Sequence, residues 1–173
     1  AAASRGVAAC FGALALEYMA RHGKKIAGLI LCSWVHSHTW LQVYTELAPP
    51  TDEGPLKQKQ EKVSNDDEKC LMEFIFYKDL YFSKRFQDEG ERVLGLVKYN
   101  AKLREALGAS YMGHFDCEKT LREITIPVLA IAGGQDRVVF PKHTREIREI
   151  CPKAHYLEFD RVGHFPFIED AEH

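Results

Sequence analysis

Metal and disulfide frameworks are missing from this chain. Its five cysteines, Cys10, Cys32, Cys70, Cys117 and Cys151, are scattered, odd in number and free of CxxC spacing. That pattern argues against a structural zinc site and against a paired covalent scaffold. A reducing cytoplasm is the compartment it fits. Neither charge is in excess, with 23 Lys and Arg against 25 Asp and Glu and a net charge of −2, so no nucleic-acid partner is expected. No apolar run reaches the ~20 residues of a membrane span, and no membrane partner is expected. The run Val7 to Leu16 follows Arg5 as in a leader peptide, but it continues into Glu17-Tyr18-Met19-Ala20-Arg21-His22 and reads as one amphipathic helix. Internal repeats, phosphate-cradling glycine loops and dinucleotide fingerprints do not occur, and Gly133-Gly134 alone marks a turn. What remains is 173 residues, 46% of them hydrophobic, long enough for one good core and short for two.

The most informative stretch runs from Ile126 to Ile168. Ile126-Pro127-Val128-Leu129-Ala130-Ile131-Ala132 is short and almost unbroken in its apolar character, as expected of a parallel strand buried on both faces. Gly133-Gly134 ends it, and Asp136 follows on the loop that leaves the strand's carboxyl end, where open α/β sheets place ligands and chemistry. Pro141 suits the first turn of a helix over about 142–151, with Ile147, Ile150 and Cys151 on one face. A second strand over 154–159 leads through Asp160-Arg161-Val162-Gly163 to His164. A right-handed crossover makes the two strands neighbours or near neighbours, so a carboxylate and an imidazole converge at one sheet edge. Taken singly, Asp136 would serve as a helix cap and His164 as an ordinary turn histidine; together they point to an oriented imidazole.

Gly133-Gly134-Gln135-Asp136 with Val138-Val139-Phe140-Pro141, and Gly163-His164-Phe165-Pro166 with Glu169-Asp170, resemble the acid turn and the histidine turn of the α/β-hydrolase family. Their 28-residue separation is similar to that family's strand-helix excursion. Ala13 to Ser33 also resembles the family: a helix to His22, Gly23 as a left-handed terminator, and a buried strand over 26–33. The resemblance implies an α/β fold, a partial α/β-hydrolase core of mostly parallel strands with a helical cap insertion. The core would comprise residues 1–33 and 121–173, and the cap residues 34–120. The nearest flavour is the proline-iminopeptidase-like or esterase-like branch.

In that family a nucleophile elbow precedes the helix over 13–22 and requires small residues two before and two after the nucleophile. Family spacing lands on Ala9, which has no nucleophilic atom. Cys10, flanked by Ala8 and Gly12, satisfies the rule after a one-residue shift; Ser4, flanked by Ala2 and Gly6, satisfies it with a longer helix. Both stay open, since Cys10 also suits a helix face and Ser4 a helix N-cap. The family's earlier strands have no counterpart before Ala1, so the chain is expected to be a fragment, a cleavage product or a variant completed by another subunit. The strand over 26–32 would then be a bare sheet edge, and self-association or a partner chain completing the sheet is expected.

The insert opens with Trp34-Val35-His36-Ser37-His38-Thr39-Trp40 at the end of a core strand, which places Trp34, His36 and His38 toward a pocket. A metal reading of His36 and His38 lacks a third ligand of suitable spacing, and solvent-facing loop histidines explain the pair better. Helical spacing over 70–86 puts Phe74, Tyr77 and Tyr81 on one stripe with Phe82 and Phe86 beside it, either ordinary packing or an aromatic roof over an acyl or aryl group. A further helix is expected over 91–107. The resemblance implies a cofactor-independent, metal-free hydrolase cleaving an ester, amide or related acyl bond of a small hydrophobic substrate. Asp136 would orient His164, and His164 would activate Cys10 or Ser4. The alternative is a non-catalytic relative serving as a binding or interaction module.

Overall fold

The computed structural model describes residues 7–9, 12–22, 26–35, 37, 52–107, 109 and 114–172. Four strands, β1 (Val7–Ala9), β2 (Leu29–Cys32), β3 (Val128–Gly133) and β4 (Ala154–Phe159), form one parallel sheet in the order β1-β2-β3-β4. Helix α1 (Gly12–His22) connects β1 to β2. Between β2 and β3 come α2 (Gly54–Gln60), α3 (Asp66–Phe76), α4 (Lys78–Tyr81), a 3-10 turn (Lys84–Phe86), α5 (Gln87–Leu94), α6 (Ala101–Leu107) and α7 (Glu118–Glu123). Helix α8 (Pro141–Ile150) crosses from β3 to β4, and a short α9 (Pro166–Glu169) follows the histidine turn.

The crossover helix forms where its sequence predicts. Pro141 occupies its first turn, and its buried stripe of Thr144 and Ile147 faces the sheet. That stripe joins Leu16 and Met19 of α1, Leu121 of α7 and the strand residues Leu29, Leu31, Val128, Ala130 and Ala154 in one core. Helices α1, α7 and α8 therefore cover a single face of the sheet. Burial consequently alternates along β3, with Val128, Ala130 and Ala132 buried and Leu129 and Ile131 half-buried. The unbroken apolar run predicted burial on both faces; the opposite face keeps Ile30 37% and Leu157 43% exposed because no comparable helical layer covers it among the described residues.

Other expectations shift with the fold. Val7–Ala9 is a strand rather than the start of the first helix, because pairing in register with Leu29–Leu31 outweighs local helix preference. The strand expected over 26–33 is shorter and is not an edge, since β1 covers one side of it and β3 the other. The helix expected over 91–107 divides into α5 and α6, with Gly95 closing α5 and residues 95–100 between the two. The aromatic helix breaks at Tyr77, which ends α3. Helix α3 itself starts at a clear signal: the Asn65 side chain accepts from the backbone N–H groups of Asp67 (2.9 Å) and Glu68 (3.2 Å), and Asp66, Asp67 and Glu68 lie at the positive end of the helix. Gly23 lies outside the described residues.

Candidate active site at the acid and histidine turns

Strands β3 and β4 end side by side, with Gly133 opposite Phe159, and the turns that follow are laced together. The backbone N–H of Gly134 donates to Phe159 O at 2.9 Å and that of Gln135 to Val162 O at 2.8 Å. Gly133 is required by this close approach: a Cβ there would sit 1.9 Å from the carbonyl oxygen of Gly163 and 2.5 Å from that of Val162. Two residues past Gly134, the Asp136 side chain is fully enclosed. Its Oδ1 accepts from the N–H groups of Val138 and Val139, each at 2.8 Å, and its Oδ2 lies 2.9 Å from His164 Nδ1. Two backbone donors satisfy a carboxylate that would otherwise be costly to bury, and they fix which oxygen turns toward the ring.

His164 is held as firmly from its own side. Its backbone N–H donates to Tyr81 O at 2.6 Å, so the imidazole is framed by the inserted helices as well as by the sheet. Its ring lies edge-on to Tyr81, with centroids 5.7 Å apart, and to Phe165 at 4.9 Å. Tyr81 stacks on Phe165 at 5.9 Å and on Phe74 at 4.3 Å, and Phe74 meets Tyr99 at 5.2 Å. These rings form an apolar wall beside the histidine. Burial pushes the Tyr99 phenol above its usual range, so it stays a neutral part of that wall. The His164 side chain keeps 18% of its surface accessible, so the ring is not sealed off although the carboxylate it faces is.

Of the residues singled out from the sequence, Asp136 and His164 are thus brought together, and Phe74 joins them through Tyr81. Tyr77 is directed elsewhere: its hydroxyl donates to Glu53 Oε1, and this bond, with help from Lys57, holds the Glu53 carboxyl below its usual range. Trp34 belongs to the core at 6% exposure, its ring packed over Gly12 and 5.5 Å from Phe115, while its backbone carbonyl accepts from Thr144 Oγ1 at 3.1 Å. Ser33, directly before it, has a φ of 48°, in the left-handed region. Ser4, Cys10, His36 and His38 lie outside the described residues. Tyr81, Phe165, Ser83 and Glu169 contribute without having been marked as site residues. Phe165 and Glu169 stood within the histidine-turn motif and Tyr81 on the aromatic stripe, whereas a serine at position 83 carried no signal.

The remaining chemistry is narrow. Cys70, Cys117 and Cys151 form no disulfide, and burial pushes the Cys117 thiol up to about 11, which suppresses its thiolate at neutral pH. Among the described residues no three His, Cys, Asp or Glu side chains converge as metal ligands. Nor is any described helix long and apolar enough to cross a membrane.

A family model for the α/β-hydrolase fold matches residues 12–171. The chain belongs to the α/β-hydrolase fold family. Within that family, it is 25% identical over 163 residues to Lipase 3 of Moraxella sp. strain TA144, covering 91% of this chain and 49% of the lipase. Against Lipase 1 of Psychrobacter immobilis the identity is 24% over 162 residues, with 91% and 48% covered. Among solved structures, an α/β-fold family hydrolase from Bacillus anthracis strain Sterne superposes with a TM-score of 0.74 at 17% identity, over 98% of this chain and 64% of that one. The α/β-hydrolase chain described here therefore spans about half the length of the curated relatives it matches.

Proposed function

We propose that this protein hydrolyses an ester or related acyl bond of a small hydrophobic substrate, using a nucleophile activated by the Asp136–His164 pair. The observation that carries the reading is the 2.9 Å contact between Asp136 Oδ2 and His164 Nδ1, made by a fully enclosed carboxylate. Such a carboxylate holds the proton on Nδ1 and leaves Nε2 to accept one. Nε2 would take the proton of the nucleophile as it attacks the carbonyl carbon, then give that proton to the departing alkoxide as the carbon-oxygen bond breaks. A water activated by the same nitrogen would release the acyl group and restore the nucleophile. The aromatic wall of Phe74, Tyr81 and Phe165 supports an apolar acyl or aryl group, and likeness to two lipases supports an ester. In this reading, residues 1–33 and 121–173 are the core and residues 34–120 its cap.

Cys10 is the better candidate nucleophile. Chemistry in such sheets gathers at the carboxyl ends of the strands, and Cys10 directly follows β1 whereas Ser4 precedes it. A second reading, a non-catalytic binding module, is favoured by one observation: β1 ends at Ala9, the position family spacing assigns to the nucleophile, and alanine cannot attack. Iodoacetamide and a fluorophosphonate separate the two when the modified peptide is mapped. Modification at Cys10, or at Ser4, that is lost in His164→Ala supports the enzyme; no modification at either residue in folded protein supports the module.

Two further parts of the reading concern its setting. Cys70, Cys117 and Cys151, none of them in a disulfide, fit a reducing cytoplasm. Strand β1, an edge among the described residues, supports completion of the sheet by a second copy or a partner chain.

A further inference from the structure

Glu169 is buried at 8% exposure, yet no cation faces its carboxylate among the described contacts. Oε1 accepts from the backbone N–H of Gly163 at 2.9 Å; Oε2 accepts from the Ser83 hydroxyl; and both oxygens lie within 3.3 Å of the Ser83 N–H. One carboxylate therefore joins the residue before His164 to the segment Leu80 to Ser83, which ends α4 and continues past it. That segment is stitched to the site along its length. Leu80 O accepts from Arg137 N–H at 3.2 Å, on the acid turn, and Tyr81 O accepts from His164 N–H at 2.6 Å, on the histidine turn. The approach is close enough that a Cβ on Gly163 would lie 2.4 Å from Tyr81 O and 2.8 Å from both Ser83 N and Glu169 Oε1. Leu80 to Ser83 thus forms a strap across both turns, and Glu169 is its clasp.

We infer that Glu169 is a positioning residue for His164, acting through the Leu80–Ser83 strap and the Gly163 amide to hold the imidazole against Asp136. Asp136 is fixed by two backbone donors of its own turn, but His164 has a rotatable side chain on a turn whose backbone is anchored outside the sheet. Without the clasp, the Gly163 and Ser83 amides lose their acceptor and the strap has no reason to stay down. The His164 backbone then moves with it. A displacement of about 1 Å at such a group costs on the order of 100-fold in rate. The consequence for rate rests on the hydrolase reading; the consequence for the ring does not.

The test is nitrogen-15 NMR of the imidazole in the full chain, which reports which ring nitrogen carries the proton, alongside thermal melting. Wild type is expected to hold the proton on Nδ1, and Asp136→Asn serves as the reference for its loss. Glu169→Ala is expected to melt cooperatively but give a mixture of tautomers, Ser83→Ala a smaller change in the same direction, and Glu169→Gln, which keeps an acceptor for Gly163, a signal close to wild type. A residue that only stabilised the fold would lower the melting temperature and leave the tautomer alone. Unchanged tautomers in folded Glu169→Ala overturn the inference. If that variant does not fold, Ser83→Ala decides: a shifted tautomer supports the clasp and an unshifted one overturns it. Absence of ester hydrolysis by wild type would count against the proposed function and leave this readout intact.

Discussion

Asp136 shows how a single side chain can satisfy two readings of the same sequence. As a turn residue it accepts from Val138 and Val139 through one oxygen, and as the partner of a histidine it uses the other. The first set of bonds makes the second possible, since it fixes the carboxylate before any substrate arrives. A looser acidic residue shows the same physics away from the site. Glu158 on β4 accepts from the Tyr156 hydroxyl and from Arg145 at 2.7 Å, and these bonds, Tyr156 foremost, hold its carboxyl below the usual carboxylate range. A carboxyl with a lowered folded-state pKa contributes stability that is present above the unfolded value and is lost as pH falls through the folded one. Wild type is therefore expected to melt above Glu158→Gln at pH 7, with the gap closing as the pH falls through the lowered folded-state pKa of Glu158. A gap that persists or widens in acid would show that the hydrogen bonds favour the neutral carboxyl instead.

At the scale of elements, two strand ends touch where only glycine fits. Gly133→Ala would force the new methyl group into the Gly163 and Val162 carbonyls, so the acid turn and the histidine turn must part. The expected cost is about 3 kcal/mol or more, read as a fall in melting temperature, because backbone rather than a flexible side chain blocks the space. Little change in melting would mean that the two turns are not in contact. This unit was legible in the sequence: β4 spans the expected 154–159, and the crossover helix lies within one residue of its expected bounds. Both are local patterns bounded by glycine and proline. Strand β1 was hidden because three residues of Val and Ala carry no periodicity and pair only once β2 is in place. The stripe of Phe74, Tyr77 and Tyr81 was half legible. Its helix breaks at Tyr77, which keeps Phe74 and Tyr81 in contact and sends Tyr77 to Glu53. Glu169 stood in the histidine motif, but its role depends on Ser83, 86 residues away, and no local spacing encodes that contact.

For the whole molecule, the parallel sheet has one face under α1, α7 and α8 and one face with Ile30 and Leu157 open. Parallel sheets are ordinarily covered on both sides, and an uncovered edge or face invites association. Sedimentation of the purified chain is expected to show concentration-dependent self-association, and a monodisperse monomer across the accessible range would count against a shared sheet. The central claim is that an enclosed carboxylate and a histidine from neighbouring strand ends act as one catalytic unit. It is tested most directly by the hydrolysis of p-nitrophenyl butyrate by wild type and by Asp136→Asn, which keeps the shape of the side chain but favours the wrong tautomer of His164. Loss of the orienting carboxylate is expected to lower the rate by about 10³- to 10⁴-fold with melting little changed. A wild-type rate no higher than that of the variant would contradict the account.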